Sequence, residues 1–497
     1  MKIQKRFSIY LILVIHCMSC FSHALSSKSY GDKPSLVVIL VIDQFRSDDL
    51  TKLVFKKEGT GGLDYLAKNG AWFPFAEFES LQNMTCPGHA TIFTGSQPAS
   101  HGIGINEWYD PKIRGLTYCV QDDKDGFSPR RLRTTTVGDE LKLSNSASKV
   151  ISISLKDRSA IMLGGHSANY ALWFNQKSTL WETSKYYKEG KLPTWTEKIN
   201  VGLKSPGGNF ESKNVKSAEA ATKATLDLAV QALEKEGLGK NVTSDVLAVS
   251  LSSHDILGHD FGPNSSEIKE FTDIQNVLIG KFIDSLKKHM GNLDKTLIVL
   301  TSDHGIPPVI EVSRHNHIEA DRMNTESLVT KINRELEKKF KAPSPWIVAA
   351  KNLHFFFNQE QLNKQNVPVE KLESEIKTIL ADEAMVELIY TKTDFKNGKF
   401  PPGVVGQQLK NSFISDQSGD FILVLKPFHF QKMLNLVTHE SGWSYDRNVP
   451  LVFLGKNIKP GVYTNANIVD IAPTVSFLLG ILPPAKSEGR VLSEIFK

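Results

Sequence analysis

Three long apolar runs, SLVVILVI, VLAVSL and TLIVLT, stand out along the chain. They lack the strict alternation of polar and apolar residues that a half-exposed strand shows, and they are typical of parallel strands buried on both faces. Segments with a helical pattern lie between and around them, for example GGLDYLAKNG and the stretches near Ala218–Leu233 and Glu267–His289. The pattern predicts one large α/β domain built on an open, mostly parallel sheet.

Each of these runs is followed by side chains that bind metals. Asp43 ends the first run, Asp255 and His259 follow the second, and Asp303 and His304 follow the third. Sites in open α/β sheets lie beyond the carboxyl ends of the strands, so these residues are expected to converge although they are far apart in sequence. Carboxylates and imidazoles are ligands that zinc accepts. The runs therefore predict a zinc site at this edge of the sheet.

The segment NMTCPGHATIFTGSQPASHGIGIN supplies a candidate nucleophile. Thr85 comes just ahead of a short apolar helix that ends at Thr94–Gly95, and Pro87 suits the first turn of that helix. Free N–H groups at a helix N-terminus favour an anion. A threonine hydroxyl is a poor nucleophile unless a base or a metal ionises it. The alternative is that Thr85 only caps the helix.

Several segments carry a family resemblance: VVILVIDQFR, the Thr85 segment, SLKDRSAIMLGGH, DILGHDFGP, TSDHG, THESGW and NIVDIAPTVSFLLGI. With them the chain resembles the alkaline phosphatase superfamily, and within it the PafA-type phosphate-irrepressible bacterial alkaline phosphatases. The match runs from near residue 36 to the C-terminus. The resemblance implies a three-layer αβα sandwich with a central, mostly parallel sheet and with insertions over the active-site face.

The same resemblance implies two Zn²⁺ ions per chain. The first ion would be held by Asp43, Thr85, Asp303 and His304, and the second by Asp255, His259 and His439. Thr85 would attack phosphorus and form a phosphothreonine intermediate. Other side chains could imitate these ligands, but they lie outside the family's matching positions or in a polar loop: His254, Asp260, His315 and His317.

Three further residues are implied to hold the phosphoryl group. Asn106 would donate to a phosphoryl oxygen, although an ordinary turn asparagine is the alternative. Lys156 and Arg158 follow the strand KVISISL and share one face if the chain stays extended. In the family a Lys-x-Arg pair marks the monoesterases, because two cations neutralise a dianionic phosphoryl group. A solvated Lys-Asp-Arg surface is the alternative for this pair.

The predicted function is therefore that of an alkaline phosphatase that hydrolyses small-molecule phosphate monoesters. A nucleotide pyrophosphatase/phosphodiesterase would keep the same ligands, Thr85 and Asn106 but would not need Lys156 and Arg158. A sulfatase would carry C-x-P-x-R, where this chain has Thr85 and His89 in place of the cysteine and the arginine. A catalytically inactive phosphate- or metal-binding protein would have lost a ligand or the nucleophile, and none is missing.

Residues 1–24 are predicted to be a signal peptide. Basic residues precede the apolar run IYLILVIHCM, and Ser22-His23-Ala24 offers a small-x-small cleavage site. We therefore expect a periplasmic or secreted protein. A lipoprotein anchor would need a small residue before Cys17 or Cys20 and a leucine further upstream. His16 disfavours this for Cys17, and Cys17 disfavours it for Cys20. No other apolar stretch reaches roughly 18 residues, so no membrane span is expected.

Residues 33–497 are predicted to form the catalytic domain, with insertions near 107–245 and 310–435. Removal of the three basic residues of the leader lowers the formal net charge from +5 to +2, which does not favour nucleic acid as a specific partner. Cys86 and Cys119 remain after cleavage, and they either pair in an oxidising compartment or stay as small buried residues. We expect the chain to act as a monomer.

Overall fold

The computed structural model describes residues 33–56, 61–203 and 214–497, so the predicted signal peptide 1–24 lies outside the described residues. In chain order the strands are β1 Leu36–Ile42, β2 Ala71–Glu77, β3 Glu107–Asp110, β4 Gly115–Tyr118, β5 Gln121–Asp122, β6 Gly126–Phe127, β7 Val150–Ser154, β8 Tyr170–Asn175, β9 Leu180–Glu182, β10 Asp245–Leu251, β11 Thr296–Thr301, β12 Arg322–Met323, β13 Ile347–Lys351, β14 His354–Phe357, β15 Val386–Thr391, β16 Phe421–Leu425, β17 Phe430–Gln431, β18 Asn448–Leu454 and β19 Gly461–Val462.

The α-helices are Ser47–Phe55, Gly62–Asn69, Thr85–Thr94, Pro98–His101, Val137–Ser144, Asp157–Gly164, Thr194–Leu203, Val215–Glu236, Ser253–Phe261, Ser266–Met290, Ile310–His315, Thr325–Phe340, Gln359–Lys364, Val369–Ile379, Lys392–Lys396, Val404–Ser412, Ser444–Arg447 and Ile471–Leu479. Within the described ranges, no helix is both long and apolar enough to cross a bilayer. The helices predicted near 218–233 and 267–289 are confirmed.

The three apolar runs form the centre of a nine-stranded sheet with the order β19-β2-β18-β11-β1-β10-β7-β8-β9. β1 lies between β10 and β11 and pairs in parallel with both, and β7 and β8 continue the parallel part. β18 joins β11 in the antiparallel sense and pairs with β2 in the same way. All seven residues of β1 are buried. The predicted central, mostly parallel sheet is therefore confirmed.

Helices cover both faces of this sheet. Alternate side chains of β1 point to opposite faces, so that Val38 and Leu40 belong to one hydrophobic cluster and Val37 and Ile39 to another. The first cluster takes in the helices Gly62–Asn69, Val215–Glu236 and Ser266–Met290. The second takes in the helices Thr85–Thr94, Val137–Ser144 and Ile471–Leu479. The result is the three-layer αβα sandwich that the sequence predicted.

A second, smaller sheet has its own core. β13, β14, β16 and β15 form an antiparallel sheet in that order, and the helices Thr325–Phe340 and Val369–Ile379 pack against it around Trp346, Phe355 and Phe421. It lies within the predicted insertion 310–435. The predicted range 107–245 includes β7 and β8 of the central sheet as well as the small hairpins β3–β4 and β5–β6. The insertion boundaries themselves remain predictions.

Candidate active site

The carboxyl ends of four adjacent strands carry the polar side chains of the site. Asp43 directly follows β1, Asp255 lies in the helix Ser253–Phe261 after β10, Asp303 follows β11, and Lys156 follows β7. All four face one another because parallel strands end at the same edge of the sheet. This edge is deeply buried, and Asp43 and Asp303 are inaccessible to solvent.

Asp43, Asp303 and His304 form the first cluster of candidate ligands, with one ligand atom of each within 4.8 Å of the others. His304 Nε2 lies 3.5 Å from Asp43 Oδ1 and 3.4 Å from Asp303 Oδ2. These three buried atoms make no hydrogen bond among the described residues. Buried polar atoms normally find a partner. Three unpartnered atoms that converge at one point, from two carboxylates and an imidazole, fit a bound metal ion.

Asp255 and His439 form the second cluster, which His304 also joins with its ligand atom within 4.8 Å of theirs. The imidazole of His439 stacks on that of His304 with ring centroids 3.6 Å apart. His259 approaches the same carboxylate, because its Nε2 lies 3.3 Å from Asp255 Oδ1, whereas His439 Nε2 lies 3.6 Å from that atom. The predicted ligands of the second ion therefore lie together, next to those of the first.

Backbone carbonyls fix the orientation of the three histidines. His259 Nδ1 lies 2.8 Å from the Val437 carbonyl oxygen, and His439 Nδ1 lies 2.8 Å from the Asn83 carbonyl oxygen. His304 Nδ1 lies 3.0 Å from the Gly305 carbonyl oxygen. A ring that donates through Nδ1–H presents a bare Nε2, and this arrangement is typical of metal-binding histidine. Burial lowers the pKa of His304 to about 3, which keeps its ring in the neutral form that a metal needs.

Thr85 lies at the first position of the helix Thr85–Thr94, after Met84 in an extended conformation. The helix ends at Thr94, as the sequence predicted, and Gly95 follows it in the left-handed conformation. Gly88 lets this helix approach the Asp303 loop, because a Cβ atom there would lie only 2.3 Å from the Asp303 carbonyl oxygen. Thr85 is therefore held beside the candidate ligands with its hydroxyl at the positive end of the helix.

Two cations lie beside the Thr85 hydroxyl, and one amide contacts the backbone of the next residue. Lys156 Nζ and Arg158 Nη2 each lie 3.4 Å from Thr85 Oγ1. Asn106 Oδ1 accepts a hydrogen bond of 2.8 Å from the Cys86 N–H, so the oxygen of that amide faces the start of the helix. The site thus gathers donors around the atom that would attack phosphorus.

Lys156 and Arg158 would share one face if the strand continued, but in the structure the chain has already turned into a helix. β7 ends at Ser154, Lys156 is the N-cap of the helix Asp157–Gly164, and Arg158 lies in its first turn. Tyr118 holds this turn, because its hydroxyl donates to Asp157 Oδ1 at 2.6 Å and accepts from Arg158 Nη1 at 3.2 Å. The pair converges on Thr85 because the chain turns into a helix there.

Lys156 also bridges the two clusters of candidate ligands. Its Nζ lies 2.5 Å from Asp43 Oδ2 and 2.6 Å from Asp255 Oδ2. Burial raises the pKa of the Asp43 carboxyl well above its usual range, and the carboxylates of Asp255 and Asp303 raise it further. Burial acts on Asp255 in the same direction, but the contacts of this carboxylate, foremost the one with Lys156, outweigh it and hold its pKa well below the usual range. Three buried carboxylates carry more negative charge than one ammonium group neutralises, so the site favours additional positive charge.

A disulfide bond holds the start of the Thr85–Thr94 helix in place. Cys86, the residue after Thr85, pairs with Cys119, the residue after Tyr118, so the open alternative of the sequence is decided in favour of a bond. The bond ties the start of the Thr85 helix to the strand end that carries Tyr118. It therefore links the segment of Thr85, the candidate nucleophile, to the residue that holds Arg158.

A cavity of about 400 Å³ borders Thr85, Asn106 and Arg158. Its far wall comes from the second sheet, where the turn between β13 and β14 brings Lys351 and Asn352 to the rim, and from residues 433–435. Both Asn352 and Leu353 have positive φ, which makes this turn tight. The cavity gives a phosphoryl group and its substituent access to the Thr85 hydroxyl.

Some polar residues near the strand ends lie outside this constellation. The ring of His254 packs edge-on against Phe45, and burial lowers its pKa to about 4. His315 and His317 lie in and just after a short helix and belong to neither cluster. The sequence assigned His89 no role in the site, but its Nδ1 lies 2.8 Å from the Thr85 carbonyl oxygen and 3.2 Å from Asp303 Oδ2. The sequence signals for it are its position one helical turn after Thr85 and its place at the arginine of the sulfatase motif.

Known proteins resemble this chain over most of its length. The family model described as type I phosphodiesterase / nucleotide pyrophosphatase matches residues 37–428. Alkaline phosphatase PafA of Elizabethkingia meningoseptica is 29% identical, over 93% of this chain and 94% of its own length. Alkaline phosphatase PhoV of Synechococcus elongatus is 30% identical, over 94% of this chain and 93% of its own length.

The crystal structure of wild-type alkaline phosphatase PafA superposes with a TM-score of 0.85 and 28% sequence identity, over 94% of this chain and 99% of that chain. The shared fold thus extends over both sheets and over the site. The chain belongs to the type I phosphodiesterase / nucleotide pyrophosphatase family within the alkaline phosphatase superfamily, and it is similar to PafA throughout.

Proposed function

We propose that this protein is a phosphatase that hydrolyses small-molecule phosphate monoesters through a phosphothreonine at Thr85. The observation that carries the proposal is the pair of cations, Lys156 and Arg158, each 3.4 Å from Thr85 Oγ1. A monoester presents a dianionic phosphoryl group, and largely buried cations beside the attacking oxygen favour that charge. The names of the similar alkaline phosphatases PafA and PhoV support the same function.

Two zinc ions per chain belong to this proposal. Asp43, Asp303 and His304, together with the Thr85 hydroxyl, would hold the first, and Asp255, His259 and His439 would hold the second. The unpartnered buried atoms of the first cluster and the bare Nε2 atoms of the histidines support this assignment. When bound, a pair of zinc ions supplies Lewis-acid charge that makes an oxygen nucleophile and a leaving oxygen more stable as anions.

The chain's own residues then carry the substitution at phosphorus. Thr85 Oγ1 loses its proton and bonds to phosphorus as the bond from phosphorus to the leaving oxygen breaks, and that oxygen leaves as the alcohol once it gains a proton. Water attacks the phosphothreonine in the second step, which releases inorganic phosphate and restores the Thr85 hydroxyl. Lys156, Arg158 and the Asn106 NH₂ group bind the non-bridging oxygens, which carry most of the charge in a loose transition state.

The second candidate is a phosphodiesterase, which the description of the matching family favours. A diester has one negative charge on its phosphoryl group and a second substituent, so it gains less from Lys156 and Arg158. The test is to measure kcat/KM of the zinc-loaded protein for an aryl phosphate monoester and for the matching aryl diester. We expect the monoester to be the better substrate. A clear preference for the diester would replace the proposal with the phosphodiesterase.

We also propose that the protein works as a monomer outside the cytoplasm, in the periplasm or in the medium. The disulfide between Cys86 and Cys119 supports this location, because such bonds persist in oxidising compartments. The predicted leader at residues 1–24 agrees with it. Fractionation of cells followed by mass spectrometry of the mature N-terminus tests the location, and light scattering of the purified protein tests the oligomeric state.

A further inference from the structure

Gln44, the residue directly after Asp43, adopts an unusual backbone conformation. Its φ is 66°, in the left-handed region that residues with a side chain rarely enter. The residue is completely buried. The turn is held on its far side by Ser302, whose Oγ accepts a hydrogen bond of 2.9 Å from the Phe45 N–H. Backbone conformations of this kind cost free energy and persist where the surroundings impose them, often at functional sites.

The turn lets Gln44 contact one carboxylate from each cluster of candidate ligands. Its backbone N–H donates to Asp303 Oδ1 at 3.1 Å, and Asp303 belongs to the first cluster. Its side-chain Nε2 donates to Asp255 Oδ1 at 2.8 Å, and Asp255 belongs to the second. With an ordinary φ at this position, the N–H and the side chain would not point to these two carboxylates together.

The neighbouring helix is shaped to receive the Gln44 amide. Gly258 lies in the helix Ser253–Phe261, between the two candidate ligands Asp255 and His259. A Cβ atom at this position would lie 1.8 Å from Gln44 Oε1, which is not a permitted contact. A glycine at 258 therefore leaves the space that the amide group fills. The amide is thus confined between the helix and the Asp255 carboxylate.

We propose that Gln44 is a positioning residue that orients Asp303 through its backbone and Asp255 through its side chain, so that one turn holds a candidate ligand of each metal site. The inference rests on the two-zinc site of the proposed function. Groups that hydrogen-bond to metal ligands fix the ligand orientation, and their loss typically weakens metal binding roughly 10- to 100-fold. Because one contact is made by the main chain and the other by the side chain, substitution separates the two effects.

Two substitutions of Gln44 test the role of its side chain. Gln44→Gly keeps the N–H to Asp303 and suits the left-handed turn, but it removes the donor to Asp255. Gln44→Met keeps most of the side-chain volume and also removes that donor. Gln361→Ala is the matched control, since Gln361 is also a nearly buried glutamine and its Nε2 donates at 2.7 Å to the Pro343 carbonyl oxygen, remote from the site.

The measurement is a zinc titration of the metal-free proteins against a chromophoric chelator, which yields two affinities without reference to catalysis. Zinc occupancies from anomalous scattering at limiting zinc assign each affinity to its cluster. We expect both Gln44 variants to weaken the Asp255 cluster roughly 10- to 100-fold and to change the Asp303 cluster less than about threefold. The melting temperature of the metal-free variants should stay close to that of the wild type, and Gln361→Ala should leave both affinities unchanged.

Two results would overturn the inference. Unchanged affinities in both Gln44 variants would show that the side chain does not position Asp255. An equal loss at both clusters, together with a lower melting temperature of the metal-free protein, would show that Gln44 only maintains the fold. A wild-type protein that binds fewer than two zinc ions would instead overturn the two-zinc site of the proposed function, and that result is visible before any variant is made.

Discussion

Removal of the cations beside Thr85 should lower monoesterase activity far more than diesterase activity. Lys156 Nζ and Arg158 Nη2 each lie 3.4 Å from Thr85 Oγ1, and the exposed fraction of the Lys156 side chain is only 13%. A charge-assisted hydrogen bond in such surroundings is worth about 1.5–3 kcal/mol, which corresponds to a roughly 10- to 100-fold change in rate. The variant without both cations should therefore lose roughly 10²- to 10⁴-fold in kcat/KM for a phosphate monoester.

The expected loss for a diester follows from its charge. The Coulomb energy scales with the charge of the phosphoryl group, so a monoanion loses about half the free energy that a dianion loses. The double variant should then lose roughly 10- to 100-fold in diesterase efficiency, and the ratio of the two efficiencies should shift by a similar factor. The assay is kcat/KM for a matched aryl monoester and diester in the wild type, Lys156→Ala, Arg158→Ala and the double variant.

Two controls guard this experiment. Lys149→Ala is the matched variant, because Lys149 lies just before β7, at the opposite end of the strand from Lys156, and its Nζ pairs with Glu236. It should leave both efficiencies unchanged. Zinc content must be measured in each variant, because Lys156 also contacts the candidate ligands Asp43 and Asp255. An equal fall of both activities at full zinc content would refute the electrostatic reasoning and favour the phosphodiesterase.

Three other predictions concern metal, disulfide and pH. A chelator should abolish activity and added Zn²⁺ should restore it, whereas full activity of metal-free protein would contradict the site assignment. Replacement of Cys86 and Cys119 by serine should lower the free energy of unfolding by about 4 kcal/mol in a urea titration, and an unchanged midpoint would count against a stabilising bond. Burial lowers the pKa of His354 to about 3. This pKa lies below the unfolded value of about 6.5, so the contribution of the neutral ring to the free energy of unfolding is fully present above about pH 6.5 and falls as the pH is lowered. About 2 kcal/mol of the free energy of unfolding should be lost by about pH 5. His354→Gln should reduce the slope of unfolding free energy against pH in this range by about one proton, and an identical slope would exclude the histidine as its source.

The sequence predicted the architecture because hydrophobic pattern determines it. Strands buried on both faces need uninterrupted apolar runs, and the three runs that ended at Asp43, at Asp255 and at Asp303 proved to be the adjacent strands β1, β10 and β11. Their shared edge brings these carboxylates together, as the strand-end argument required. The ends of the Thr85 helix followed from Pro87 and Gly95, whose backbone preferences are local.

Other features of the site depend on contacts that no local pattern encodes. Lys156 and Arg158 reach Thr85 because the chain turns into a helix after β7, whereas the sequence alone left open whether the strand continues. The left-handed turn at Gln44 is imposed by the packing around it, since glutamine has no preference for positive φ. Tyr118 is remote in sequence from Arg158, and only the folded chain brings their side chains together.

The sequence also did not predict the position of the second sheet beside the cavity. The sequence predicted an insertion near 310–435, but it did not predict that a sheet in this range borders the site. The β13–β14 turn delivers Lys351 and Asn352 to the rim of the cavity through tertiary packing. Residues at the tip of a hairpin have no signal of burial or period in the sequence, so this wall of the cavity could be found only in the structure.

The most direct measurement is the identification of the phosphorylated residue during turnover. The zinc-loaded enzyme would be mixed with a phosphate monoester, quenched in acid after a few milliseconds to seconds, digested and analysed by mass spectrometry, with Thr85→Ala treated in parallel. Thr85 Oγ1 lies next to both cations and to the candidate metal ligands, so we predict phosphate on the peptide that contains Thr85 and none in the variant. Phosphate on another residue, or none at any time in an active enzyme, would contradict Thr85 as the nucleophile.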